Sequence, residues 1–204
     1  MRNALRFLFI SCFIIFLSSN IFAQDLQTNP EQDLSRIKSD SLKGEMLAYA
    51  SWSAMSDEQK RATIINQSRN FIGTKGGQCK SFVQKIVVQP ISGILLPLNY
   101  ENPYDPFDRA RWNYSSEVNV VYQWLGLLSS ISQLKLKPGH IIQWRMSNGT
   151  RTPHTMVVEA VGLYTIQVID SNFGTNNDEI VRRHWIDLNW IRTNVSAGTV
   201  YQVR

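Results

Sequence analysis

The hydrophobic pattern of this chain changes period near Pro138, and that change limits the fold more than any single residue does. Upstream, apolar residues recur at helical spacing; downstream, they fall into short alternating runs at 141–145, 155–161, 164–171, 180–186 and 199–203. Period 3.6 is the signature of a helix with one buried face, and period two that of a half-buried strand. Pro138-Gly139, Gly149, Gly162, Gly174 and Gly198 punctuate the second half, which is how turns divide a small antiparallel sheet. Helices first and strands second predict an α+β fold, with N-terminal helices packed on a small antiparallel sheet of five to six strands.

Within the first half, Ser56-Asp57-Glu58-Gln59 forms a capping box opening a helix that runs to about Ile72 and ends at Gly73. After the loop Gly73 to Gly77, Cys79, Phe82, Val83, Ile86 and Val87 trace a second helical face until Pro90 interrupts it. Residues 117–133 suit a strand in their first half and a helix in their second, and both readings stay open. Residues 99–114, rich in Pro, Asp and aromatics, read as a long loop. Residues 24–43 are polar and read as a loose lead-in or marginal helix, and 44–53 carry enough apolar residues to pack against a domain.

Residues 1–23 have the layout of a secretory signal: Arg2 and Arg6, an apolar run over 7–17, then small and polar residues ending at Ala23. The run is shorter than the roughly 20 residues that span a bilayer, and no second such run follows. The expectation is a periplasmic or secreted protein without a stable membrane anchor, cleaved after about Ala23, with a polar segment over 24–56 and one catalytic domain over 57–204. Two of the 21 Lys and Arg leave with the leader while all 16 Asp and Glu remain, a net charge of about +3. That mild charge is scattered and lacks the clustered cations of a nucleic-acid reader.

Of the two cysteines, Cys12 leaves with the leader, so Cys79 stands alone in an oxidising compartment where cysteines normally pair. It opens a helix, where unpaired N–H groups and the macrodipole favour thiolate. His154 begins one strand, and Asp170 and Asn172 share a face of the next. An odd hairpin loop sets His154 beside Asp170 or Asn172, and an even one sets Ser171 opposite it. The residues thus read as nucleophile, base and orienting group; the alternative is an inert buried thiol and a structural histidine. His140 reads as a surface or edge residue, neither His140 nor His184 has a nearby carboxylate with parity as clear as that of Asp170, and Glu159 alternates away from His154 as a solvated residue. Gly76 and Gly77 let a substrate backbone approach the sulfur. Gln78 beside them, and Tyr104 and Trp112 in the aromatic loop, complete the expected substrate contacts. No metal-ligand spacing is present, so neither metal nor cofactor is expected.

Gly-Gly-Gln-Cys-Lys-Ser-Phe-Val at 76–83, Lys-Pro-Gly-His-Ile-Ile-Gln-Trp at 137–144, His-Thr-Met-Val-Val at 154–158 and Ile-Asp-Ser-Asn at 169–172 together resemble the CHAP family. These are cysteine- and histidine-dependent amidohydrolases and peptidases of papain-like fold, and the resemblance covers about 57–204. It implies hydrolysis of amide bonds in peptidoglycan or its peptide stems, with Cys79 as nucleophile, His154 as base, Asp170 orienting the histidine and Asn172 as a further polar contact. The family's Pro-Gly-Asp is Pro-Gly-His here, at His140. An inhibitor protein stands as a second partner to consider. Two other readings stand beside it: a transglutaminase-like acyl transferase, which also runs Cys, His, Asp in order, and a non-catalytic wall-binding module of the same fold.

Overall fold

The computed structural model describes residues 30–96, 116–147, 153–173 and 178–204. The chain divides into two compact units at Gly44/Glu45. Helix α1 (Pro30–Ser53) supplies the described part of the first unit. The second unit, Glu45–Arg204, is a six-stranded, wholly antiparallel sheet with helices packed on it, an α+β architecture.

Its strands are β1 (Val118–Leu125), β2 (Ile141–Met146), β3 (Pro153–Val161), β4 (Thr165–Ser171), β5 (Val181–Asp187) and β6 (Val195–Val203), ordered β1-β6-β2-β3-β4-β5. The alternating runs read from the sequence are the strands from β2 onward. The open segment 117–133 resolves into a strand and the start of a 3₁₀ turn, Ile131–Leu134. Helix α5 (Leu188–Asn194), capped by Asp187 Oδ1 on the Trp190 N–H at 2.7 Å, falls where the sequence pattern showed nothing.

Period-two alternation sorts the apolar side chains onto two faces. Ile141, Val157, Ile169, Val181 and Tyr201 lie in one cluster with Trp52, Ile64, Phe82, Val83 and Val87 of the helices. Ile142, Trp144, Met156, Val158, Val168 and Val200 lie in the other, under the 3₁₀ turn and α5. Both faces are therefore covered over the central strands, where Gln143, Thr155, Glu159, Asp170 and Thr199 are buried polar residues. The compact unit begins at Glu45, ahead of the boundary expected at Asp57, because Trp52 is 1% exposed in the first cluster and its indole donates to the Arg204 carbonyl.

Helix α2 (Asp57–Arg69) starts at the expected capping box, Ser56 Oγ accepting from Gln59 N–H and Gln59 Oε1 from Ser56 N–H. The helical stretch that follows does not stop at Pro90. It comprises α3 (Cys79–Ser81), a π-helical segment (Phe82–Val88) and α4 (Gln89–Ser92). A proline in an α-helix obstructs the carbonyl four residues back; here the wide π turn lets Gln89 N–H bond Gln84 O, and the Ile86 carbonyl accepts from Gln67 Nε2 at 2.9 Å. Gly93, at φ 67°, ends the stretch.

Two expectations fail for one reason. Glu159 does alternate away from His154, but the face it reaches is the helix-covered one; it is 6% exposed and bonds Arg69 Nε at 2.6 Å and Arg183 Nε at 2.5 Å. His140 is 2% exposed instead of superficial, its Nδ1 accepting from Lys137 N–H and its Nε2 facing Gln202 Oε1 at 3.2 Å. Burial holds its pKa down at about 4, with the charges of Arg61 and Lys137 adding to that effect, so it stays neutral.

Where β1 crosses β6, Gly198 lies opposite Trp124, and a Cβ there would sit 2.1 Å from the indole. Gly198→Ala is expected to destabilise the domain by about 1–3 kcal/mol through overpacking, and Trp124→Leu in the same chain to recover part of that loss. Urea unfolding of wild type and the two variants reads it; an unchanged midpoint for Gly198→Ala contradicts this packing.

Candidate active site

Cys79 occupies the first helical position of the stretch 79–92, with Gln78 as N-cap in extended conformation. The sulfur is held there by hydrophobic anchoring further along: Phe82, Val83 and Val87 are fully buried against the sheet. The backbone N–H groups of a first turn have no helical acceptor, and that of Lys80 is directed at the Cys79 sulfur.

His154 reaches the same point from the start of β3. The parity problem posed by the sequence is solved in an unexpected way. The hairpin pairs Val161 with Ile166, an even loop whose register, continued, would set Phe173 opposite His154 and turn Asp170 to the other face, but a bulge between Val158 and Ala160 shifts the register to Val158↔Val168 and Val157↔Ile169. The bulge inserts one residue into one strand, and the shift returns His154 and Asp170 to a shared face. His154 Nε2 lies 2.7 Å from Asp170 Oδ2. Since the carboxylate takes Nε2, Nδ1 is the nitrogen left for Cys79, and thiol and imidazole shift each other's titration.

Cys79, His154 and Asp170 are 8%, 7% and 0% exposed, so electrostatics act here with little screening. Burial pushes the Cys79 thiol up. The hydrogen bond and charge of His154, with the N–H groups of Thr155 and Lys80, outweigh that and leave it below its ordinary value. For His154, burial pushes down, while Asp170 and Cys79 push up and prevail, raising it to about 9. The two shifts have one cause: each group favours the charged form of the other, and the Asp170 carboxylate reinforces the imidazolium.

The remaining expected residues divide. Asn172, at φ 61°, does not touch His154; its Nδ2 donates to Gln78 Oε1 at 2.9 Å. Gln78 Nε2 donates to Glu179 Oε1 at 2.9 Å, so the Gln78 amide is clamped from both ends. Gly77, at φ 70° with open space where a side chain would stand, suits the close approach expected of it. Gly76 does not: a Cβ there would meet Val181 at 2.6 Å and Phe82 at 3.0 Å, so its lack of side chain serves packing. Ser171 Oγ ties this loop down, 2.6 Å from the Gly77 carbonyl and 2.9 Å from that of Glu179. Tyr104 and Trp112 lie outside the described residues.

Several neighbours had no clear signal in the sequence. Phe173 packs between His154 and His184, ring centroids 5.2 and 4.4 Å away, and against Trp190 at 5.6 Å. His184 Nε2 stands 3.7 Å from Asp170 Oδ2, a carboxylate whose parity with His184 was not clear from the sequence; the β4–β5 register, Val168↔His184, puts it on that face. Among the described residues no group of three or more His, Cys, Asp or Glu is arranged to hold a metal ion.

No family model and no curated protein matches the chain. Among solved structures, it is similar to the crystal structure of Ly7917, at 14% identity and TM-score 0.43, covering 68% of this chain and 61% of that one. It is similar also to the crystal structure of Ly7917 with the hydrolyzing product of MDP, at 13% identity and TM-score 0.43, covering 70% and 63%. The chain thus spans less than two thirds of the length of either.

Because Asp170 and not Asn172 meets the imidazole, Asp170→Ala is expected to slow alkylation of Cys79 at neutral pH about a hundredfold, the scale of a misplaced reacting group, and Asn172→Ala far less. Iodoacetamide kinetics on both variants check this; equal slowing would return the choice to open.

Proposed function

We propose that this chain is a cysteine amidohydrolase of papain-like, CHAP-type fold that cuts amide bonds in peptidoglycan or its peptide stems. The observation that carries the proposal is the buried relay of Cys79, His154 and Asp170 at a helix start, with thiol acidified and imidazole made basic. The substrate class is supported by the four sequence motifs and by the export signal, which would deliver the enzyme to the cell wall.

Cys79 attacks the scissile carbonyl carbon as thiolate, and the developing oxyanion is met by N–H groups of the helix start. Imidazolium His154 then gives its Nδ1 proton to the departing amine as the C–N bond breaks, leaving a thioester. Neutral His154 takes a proton from water as the water oxygen adds to the thioester carbonyl. Collapse releases the carboxylic acid and restores thiolate and imidazolium. Asp170 holds the ring throughout and stays ionised. The motion of the proton between Nδ1 and substrate needs no further group.

Incubation of the mature protein with purified sacculi is expected to release new amino and carboxyl termini, and Cys79→Ala to release none; equal release from both contradicts a thiol mechanism. The rate is expected to be bell-shaped in pH. It rises as Cys79 ionises, below the ordinary thiol range, and falls as pH passes about 9, where His154 loses the proton the leaving amine needs. A rate still climbing above that pH would contradict the assignment of His154 as general acid.

A further inference from the structure

We infer that His184 is a positioning residue of this site, a second imidazole that bears on Asp170 and completes a four-residue relay Cys79–His154–Asp170–His184. The inference rests on the reading of Cys79, His154 and Asp170 as a reacting set and extends it by one residue.

The geometry is specific. Asp170 is fully buried on β4, and its Oδ2 lies 2.7 Å from His154 Nε2 and 3.7 Å from His184 Nε2. The second distance is beyond a hydrogen bond and too short for a water to stand between. Asp170 Oδ1 and His184 Nε2 are both buried without a hydrogen-bond partner. A buried carboxylate oxygen and a buried ring nitrogen are each expensive to leave unmet, and here they belong to side chains that approach within 3.7 Å of each other. Catalytic hydrogen bonds are often long in the empty site and tighten when substrate binds. A small turn of the carboxylate gives His184 Nε2–H an acceptor while His154 keeps the other oxygen.

Phe173 limits the other directions of movement. Its ring stacks on His184 at 4.4 Å and 25° and leans on His154 at 5.2 Å, and Trp190 backs it at 5.6 Å. The two imidazoles are thus spaced by one aromatic ring and joined through one carboxylate. Neutral His184, as donor, holds Asp170 in the orientation His154 needs. The ionisable groups that act on His184 are Asp170 on β4, His154 on β3 and Arg182 on its own strand; burial and the two cations hold its pKa below the ordinary value against the pull of Asp170. It is therefore neutral at pH 7. When it protonates on acidification, its charge competes with His154 for Asp170, which lowers the basicity of His154 and raises the pKa of Cys79. The acid side of the reactivity profile then carries two protons, one from the sulfur and one from His184.

The test is the pH dependence of Cys79 alkylation by iodoacetamide in wild type, His184→Gln and His184→Phe, with circular dichroism recording the fold of each. Gln retains a donor at the Nε2 position and does not ionise; Phe retains neither property. Wild type is expected to lose reactivity with a slope of two protons on the acid side, and both variants with a slope of one. His184→Phe is expected to shift the acid-side midpoint of the profile upward by about one pH unit, which is about tenfold slower alkylation at a pH below that midpoint, and His184→Gln to restore most of that loss. Superimposable profiles for the three proteins overturn the inference, and so does a two-proton slope that survives in His184→Gln; should His184→Phe fail to fold, the slope of His184→Gln decides alone. Alkylation needs no wall substrate, so altered slopes beside inert sacculi would sink the hydrolase reading and leave His184 standing. Alkylation indifferent to His154→Ala would remove both.

Discussion

The hydrogen bond between His154 Nε2 and Asp170 Oδ2, 2.7 Å long and shut away from solvent, is the contact on which the arrangement of this site depends. A carboxylate with no exposed surface costs several kcal/mol unless it is paired, so Asp170 commits the interior to supplying a partner. That partner is a ring with a second nitrogen, and the ring also interacts with the Cys79 thiol. The acidity of Cys79 is thereby coupled to a residue it does not touch. The hairpin that carries the bond has an even loop, and only the bulge at Glu159 brings both residues to one face. The bulge in turn is fixed from the opposite face, where Arg69 and Arg183 hold the Glu159 carboxylate.

The sulfur arrives by a separate route. The segment 79–92 is pinned by Phe82, Val83 and Val87, and its π-helical middle accommodates Pro90 without ending the helix. π turns are often found at functional sites; in this chain the wider turn lets the helix run past Pro90 to Gly93, with Cys79 at its opposite end. Gly76 then packs under Val181 and Phe82 where no side chain fits, and Ser171 binds the Gly77 and Glu179 carbonyls. The loop before Cys79 is tied to the end of the same strand that carries Asp170. The two halves of the site are therefore joined on both sides of the sulfur.

Much of this was legible in the sequence because it rests on local pattern. The strands from β2 onward follow their period-two runs, α2 follows its capping box, and Cys79, His154 and Asp170 converge as their positions suggested. What escaped depends on long-range register and on which faces are covered. Glu159 and His140 looked polar and therefore solvated, but a sheet packed on both sides has no wet face for them. His184 met Asp170 through a β4–β5 pairing whose loop length no local pattern fixes. Pro90 would have ended an α-helix, and only the π turn, invisible in residue spacing, let the helix continue. Asn172, a neighbour of Asp170 by parity, turned to Gln78 because its backbone leaves the strand at φ 61°.

The chemistry proposed for this site requires a sulfur that keeps its charge below the ordinary thiol range. The ultraviolet thiolate absorbance of the mature protein, titrated against Cys79→Ala, reads that charge directly and without any substrate. A difference signal that persists well below the ordinary thiol range, and that moves upward when Asp170 is replaced by Ala, is the predicted result. A signal that appears only near pH 9, the ordinary value for an isolated thiol, would show that His154 and Asp170 do not govern Cys79, and would contradict the account.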